Sequence, residues 1–530
     1  MANETKRLVR AKAPECVGIS SEAFIKMLRH MEEKEMQYHS IMIVRHGKVA
    51  AECYREPFSK DIPHIMYSVS KTVTATALGF AIQEGYVMLD TRFIDVFPEY
   101  SPKKKDERLE KLKIRHLLTM TSGKQPSYLL NKTDKDWLRH LVGAKWIFDP
   151  GEKFEYVNEN IYALCAVLQR VTGVTVTDFL DERLFKPLGI DKPFWETDHG
   201  GVESGGWGIF LKTEDLAKIM LCYLNEGKWK NKQIIPKKWA KDAVLNQVQQ
   251  SGEPIRKEGY GYCIWIKNEN EYCADGIYGQ IGSVIKDKDT VVAINSCAPD
   301  GSAYWEALEI LKAEGFVKED PHANASPQFK EFVRNRPIDI IPVSKRRSPL
   351  EDLITGRTIR FRKDPLLNSI GSPMSVLSTA AVYMTKYRAG NITNVRFDFS
   401  DDKLMFSWQE GNEVNTIACG LDGKYILTPI VLALTPYTAA AAAFWLDNYT
   451  LEVWIRPVES LTRRILRFSF QGKNVVMTPS GEPTISIMLS SIAGYVRSMF
   501  EQKQLKELAG LALKKLETVI EPLHYGKFID

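Results

Sequence analysis

The stretch from Met66 to Phe80 reads MYSVSKTVTATALGF. It sets Ser68 and Lys71 three residues apart at the head of a run of small and apolar residues. Burying an ammonium is costly unless it is paired or gives up its proton. A lysine in that setting is a base, and a serine one helical turn away lies within its reach. The spacing predicts a helix from about Ser68 to Gly85, with the glycine as its C-terminal stop. Val73, Ala77, Leu78, Ala81 and Ile82 leave that helix almost no polar face, which marks it as central and buried.

Outward from this helix the pattern predicts an α+β unit, an antiparallel sheet flanked by helices. Residues 21–33 read as an amphipathic helix, and HSIMIVRHGKVAAECY (39–54) as a hairpin around His46-Gly47. Helices are predicted over 159–171, 213–226 and 302–314, and strands over 260–266, 278–286 and 290–297. This first domain spans 1–317. Prolines, charges and turn formers dominate 318–352, which reads as a linker. Alternation then takes over: in VRFDFSDDKLMFSW (395–408), Val395, Phe397 and Phe399 share one face, as do Leu404, Phe406 and Trp408 beyond the Asp401-Asp402 turn. TLEVWIRPV and RFSFQGKNVVM repeat the habit, so 353–483 reads as a small β domain or barrel. The alanine run 439–444 favours helix by propensity and strand by its neighbours. The tail, 484–530, reads as helical and amphipathic.

At 530 residues the chain is too long for one hydrophobic core. Its 71 basic and 66 acidic residues leave a net charge of +5. Runs such as SPKKKDERLEKLK (101–113) are interleaved with acids, as solvated faces are, and nothing predicts nucleic-acid binding. The N-terminus lacks the apolar core of a signal peptide, which points to a cytoplasmic address. No window approaches the roughly 18 apolar residues of a membrane span. The eight cysteines form no CxxC pair and the nine histidines no HxH or HExxH arrangement, so neither metal nor organic cofactor is expected.

The S-x-x-K pattern occurs also at Ser101–Lys104, Ser283–Lys286 and Ser400–Lys403, and context separates the four. Ser101 lies in a charged surface stretch, Ser283 on a strand where positions three apart face opposite ways, and Ser400 in a hairpin turn. Only Ser68 and Lys71 fall on a buried helix. A second signal is FDPGEKFEYVN (148–158), where a Pro150-Gly151 turn leads into Tyr156-Val157-Asn158; Tyr223 to Asn225, inside a predicted helix, is a chance match to the same pattern. The third is YGQIGSVI (278–285), in which Gln280, Ile281, Gly282 and Ser283 occupy a strand and the glycine admits close approach of a substrate.

In this order the three motifs resemble those of the serine β-lactamase and penicillin-recognising superfamily. The nearest branch is the class C-like group of esterases, D-amino-acid peptidases and 6-aminohexanoate-dimer hydrolases. LKIRHLLTMTSG (112–123) and GGWGIFLKTEDLAKIM (205–220) are similar to further segments of that group, and the likeness covers about residues 10–316. It implies the β-lactamase/transpeptidase-like fold, with an all-helical subdomain beside the sheet. It further implies Ser68 as nucleophile, and Lys71 and Tyr156 as a coupled acid–base pair with the choice of base open. Asn158 would orient Lys71 or a substrate amide, and the backbone N–H groups of Ser68 and Ser283 would form the oxyanion hole.

Two positions depart from the family. Gln280 stands where β-lactamases carry lysine and many esterases histidine, which disfavours substrates with a carboxylate. Met120 replaces a frequent histidine and reads as packing. The expectation is therefore a serine hydrolase of small esters or amides. The rivals are a β-lactamase, D-amino-acid peptidase or amide-oligomer hydrolase using the same residues, and a catalytically silent binding protein that keeps the fold. The C-terminal β domain would cover the active-site mouth or mediate assembly into a homo-oligomer. His64 reads as a partly exposed loop histidine.

Overall fold

His46 and Gly47 both adopt positive φ, 51° and 69°, the conformation that a two-residue antiparallel turn requires. The predicted hairpin forms around them as β1 (Gln37–Arg45) and β2 (Lys48–Glu56). The computed structural model describes residues 6–101, 106–126, 136–198, 200–249, 259–298, 302–334, 336–343, 347–363, 392–432, 435–484, 487–488 and 521–529. The chain divides into two units, Met1–Tyr54 with Ser59–Arg336, and Arg55–Phe58 with Pro337–Asp530.

In the first unit β1 and β2 are joined by β3 (Trp265–Asn268), β4 (Glu271–Gly276), β5 (Gln280–Ile285) and β6 (Thr290–Cys297). The strands run antiparallel in the order β2-β1-β6-β5-β4-β3. β4 was not foreseen, because its sequence EYCADG lacks an apolar alternation. One face of the sheet packs Ile281, Ile285, Val292 and Ile294 against α1 (Ser21–Glu33) and a helix at Ser302–Glu314. The other face meets a helix at Thr213–Leu224: a Cβ on Gly282 would lie 2.8 Å from Met220 and 2.9 Å from Leu216.

The central helix begins later than the sequence predicts. A 3-10 turn covers Tyr67–Val69, and α2 runs Ser70–Gln83, buried from Ser70 to Ala81. Ser68 thus sits in the tight turn that feeds α2, and Gly85, at φ 81°, lies two residues beyond its end. The segment 318–352 is not a bare linker. Pro327–Val333 is a helix whose first turn is capped by Ser326 Oγ, which accepts the Phe329 N–H at 3.1 Å, and Phe329 packs on Phe24. Ser-Pro here starts a helix; it does not break one.

The second unit is a barrel. Its strands are β7 (Thr358–Phe361), β8 (Ile392–Phe399), β9 (Lys403–Glu410), β10 (Glu413–Gly420), β11 (Ile426–Leu432), β12 (Thr435–Trp445), β13 (Thr450–Pro457), β14 (Arg463–Gln471), β15 (Asn474–Glu482) and β16 (His524–Phe528). They pair in the order β10-β9-β8-β7-β16-β15-β14-β13-β12-β11, and Gly420 meets Ala442 to close the ring between β10 and β12. Phe397, Phe406, Trp408 and Phe468 fill the interior, with neighbouring ring centroids 4.9–5.9 Å apart. The alanine run is strand. Its residues are buried on both faces of β12, where burial and ladder pairing override helix propensity. Of the tail predicted as helix, His524–Phe528 is a strand that pairs with both β15 and β7; 489–520 lie outside the described residues.

Candidate active site

The turn into α2 is strained where the site begins. Tyr67 has φ 45°, a region that residues with a Cβ seldom occupy, and this turn presents the half-buried Ser68 ahead of the buried helix. Lys71 follows in the first turn of α2 and is 1% exposed. Its Nζ donates to Ser68 Oγ at 2.9 Å and to the Gly206 carbonyl at 2.6 Å. Burial pulls the lysine down from its ordinary value to about 7, opposed in part by Cys263 and Glu159. Near neutral pH a large share of Lys71 is therefore free amine, one hydrogen bond from a hydroxyl.

The Tyr156 ring completes the group. Lys71 Nζ lies 4.8 Å from its centroid, and Trp265, at the start of β3, stacks on the ring at 5.9 Å and 15°. Trp265 is itself wedged against Tyr260 and Phe154, so three aromatic side chains fix where the phenol points. Tyr156 ends the turn after Pro150-Gly151, and Asn158 opens the next helix, α3 (Asn158–Thr172). The Asn158 side chain lies beside Gly206, with Oδ1 3.5 Å from where a Cβ on that glycine would stand. It flanks the loop that receives Lys71. In the chance match, the Tyr223 hydroxyl bonds Thr76 at 2.7 Å inside the core.

The strand motif is corrected. β5 is paired on both edges, by β4 and β6, so the backbone amides of Ile281, Gly282 and Ser283 belong to ladders and not to an oxyanion hole. The Ser283 hydroxyl accepts from Tyr304 at 2.8 Å on the helix-covered face, and Gly282 makes room for Met220 and Leu216. Gln280 is fully buried; its amide donates to Ser296 O at 2.7 Å and Tyr278 O at 3.3 Å, which braces the β4–β5 turn.

The strand that passes Ser68 is β4. A Cβ on Gly276 would strike the Met66 carbonyl oxygen, so only glycine lets the strand run this close. The following turn is closed by Gly279 N–H to Gly276 O at 3.2 Å, and Tyr278 sets its ring 5.7 Å from Tyr67. β3 covers only Glu271–Cys273 of β4's outer edge. Among the described residues the edge at Ala274–Gly276 has no strand beside it. The readable signal was the first glycine of ADGIYG, which follows a strand too polar to stand out.

Met120 is fully buried packing, as predicted, and accepts from Asn160 Nδ2 at 3.8 Å. His64 is not an exposed loop residue. It is 3% exposed on a short strand, and its Nε2 lies 2.8 Å from His39 Nδ1. All eight cysteines are free thiols, seven of them buried.

Comparison with known proteins sets these features in context. The family model described as Beta-lactamase matches residues 27–314, just over half of the chain. A 6-aminohexanoate-dimer hydrolase of Paenarthrobacter ureafaciens is 23% identical over 299 residues, which cover 51% of this chain and 75% of that protein. A D-aminopeptidase of Brucella anthropi is 29% identical over 143 residues, which cover 26% of this chain and 27% of that protein. Among solved structures, an octameric penicillin-binding protein homologue from Pyrococcus abyssi superposes with a TM-score of 0.45 at 16% identity, covering 86% of this chain and 97% of that one.

Proposed function

Because the chain belongs to the β-lactamase family, we propose that it is a serine hydrolase that forms an acyl-enzyme on Ser68 from small esters or amides. The observation that carries this is the position of Lys71: a buried amine of lowered proton affinity, bonded to Ser68 Oγ and held under the Tyr156 ring. Ser68 Oγ attacks the substrate carbonyl carbon as its proton passes to Lys71 Nζ. The carbonyl oxygen becomes an oxyanion, and its collapse expels the alcohol or amine, which takes a proton relayed through the Tyr156 hydroxyl. Water then attacks the ester on Ser68, the same pair moves its proton, and the acid and free serine are released.

The oxyanion requires two preorganised N–H donors. Ser68 supplies one, and Ile277, the first residue past Gly276 in the turn packed on Tyr67, replaces Ser283 as the second. The edge of β4 at Ala274–Gly276, with no strand beside it among the described residues, suits an extended acyl chain whose own amide pairs with the strand. That stretch reads Ala274-Asp275-Gly276 and contains no cation, so substrates whose binding needs a paired carboxylate are disfavoured, as argued for Gln280. Ser68→Ala should cut turnover of p-nitrophenyl butyrate by at least ~10³-fold. Wild-type enzyme should hydrolyse that ester faster than nitrocefin or a D-Ala-D-Ala peptide. Undiminished ester turnover in the variant would overturn the assignment.

A further inference from the structure

The carbonyl that holds Lys71 belongs to a bulge, Ser204–Gly208, and a buried acid lies inside that bulge. Residues on either side of it pair with the segment around Glu196: Trp195 with Ile209, and Thr197 with Glu203. Glu196 closes the base of the bulge with its own backbone. Its N–H donates to Gly208 O at 3.0 Å, and its carbonyl accepts from Ser204 N–H at 3.0 Å. Within the bulge, Gly206 N–H turns back to Ser204 O at 2.6 Å across Gly205, whose φ is 63°. This tight turn aims the Gly206 carbonyl at Lys71. The Trp207 carbonyl is tied down by Trp195 Nε1 at 2.8 Å and by the Ser204 hydroxyl.

The Glu196 side chain fills the concave side. Its Oε2 lies 3.0 Å, and its Cβ 2.9 Å, from the point a Cβ on Gly208 would occupy. The residue is 2% exposed, and among the described residues neither carboxylate oxygen has a hydrogen-bond partner. A carboxylate left in that state is unstable, because a buried charge needs a partner or water. The uncharged acid is the form that fits, and burial alone pushes its proton affinity up, to about 8.

The surrounding charges offer no relief. On its own segment Asp198 takes the Tyr162 hydroxyl at 2.6 Å. From the far side of the bulge, Glu203 is engaged by the Val176 and Thr177 N–H groups. From α3, Cys165 and Ile161 press on Gly205. Lys71 lies across the bulge with its bonds directed to Ser68 and Gly206. Among the described residues no cation pairs with Glu196.

We propose that Glu196 is a positioning residue: as an uncharged acid inside the bulge it keeps the Gly206 carbonyl on Lys71, and its ionisation opens the bulge and switches the site off. This rests on the reading of Lys71 and Ser68 given above and adds an alkaline limit to it. Activity rises as Lys71 loses its proton, near 7, and falls as Glu196 loses its own, near 8. The optimum is narrow and lies between the two.

The test uses the full chain and Glu196→Gln, which keeps the shape and removes the charge. The pH profile of kcat/KM for p-nitrophenyl butyrate should lose its alkaline limb in E196Q, while the wild type falls about tenfold per unit of pH beyond its break. Activity below the optimum should change little. An alkaline limb of the same position in E196Q overturns the proposal. Should E196Q not fold, Glu196→Met, uncharged and of similar length, takes its place.

An infrared titration decides the matter independently of turnover. The carbonyl stretch of a protonated carboxylic acid should persist at neutral pH in the wild type, disappear around pH 8 and be absent from E196Q. Absence of that band from the wild type at neutral pH also overturns the proposal. A wild type without esterase activity that still shows the band would instead contradict the hydrolase reading.

Discussion

Lys71 makes two hydrogen bonds, one to the hydroxyl it would deprotonate and one to a backbone carbonyl. Among the described residues it has no ion-pair partner, which is why burial dominates its behaviour and lowers it to about 7. The sign of the pH dependence follows. The protonated ammonium cannot accept the Ser68 proton, so kcat/KM for a small ester should climb with pH up to an apparent break near 7, short of the alkaline fall assigned to Glu196. A break displaced to the ordinary lysine range would contradict the environment described. Stability moves with the same group. Because the folded form releases the lysine proton more readily than the unfolded chain does, Lys71 costs the fold stability increasingly as pH falls from the unfolded value of 10.5 to about 7. That Ser68, Lys71 and Tyr156 come together was legible in the sequence, from the S-x-x-K spacing on a buried helix and, for Tyr156, from the family resemblance of its motif. The donor proposed at Ile277 was not, because a backbone amide leaves no trace in residue type.

The element that matters most after α2 is the bulge that receives Lys71. Gly205 has positive φ, and a Cβ there would lie 2.5 Å from Cys165 Sγ and 2.8 Å from Ile161 O on α3. Both backbone strain and overlap therefore oppose any side chain. Gly205→Ala should lower unfolding stability by about 2–4 kcal/mol, read from denaturant midpoints at constant slope. It should also reduce kcat by more than KM changes, since the carbonyl on Lys71 moves with the turn. A variant as stable and active as wild type would show that the bulge does not position the lysine. Elements explain most of the misplaced predictions. YGQIGSVI has the alternation and glycine of a site strand, yet β5 lies between two partners, and the strand beside Ser68 is the polar EYCADG, which periodicity overlooks. In the barrel, six consecutive residues from Ala439 to Phe444 read as helix by propensity alone, and cross-strand pairing with β11 and β13 decides otherwise.

At the scale of the whole molecule, the chain is two units with separate cores, and every reacting group named here belongs to the first. Composition from 318 and the change of periodicity near 353 read as a linker over 318–352, and the division observed at Arg336 falls inside it, after a capped helix, Pro327–Val333, that belongs to the first unit. The second unit is the kind of closed barrel that alternation predicts, and the final strand, His524–Phe528, was missed because HYGKF alternates histidine and glycine inward, not the usual apolar residues. The proposed hydrolase chemistry depends on Ser68 Oγ being the atom that bonds to substrate. The most direct measurement is intact-mass analysis and peptide mapping of the full chain after reaction with a fluorophosphonate. One adduct per chain is predicted, on the peptide containing Ser68, formed faster as pH rises toward and through about 7 and absent from Ser68→Ala. An adduct on another serine, or none on a folded wild-type protein, would contradict it.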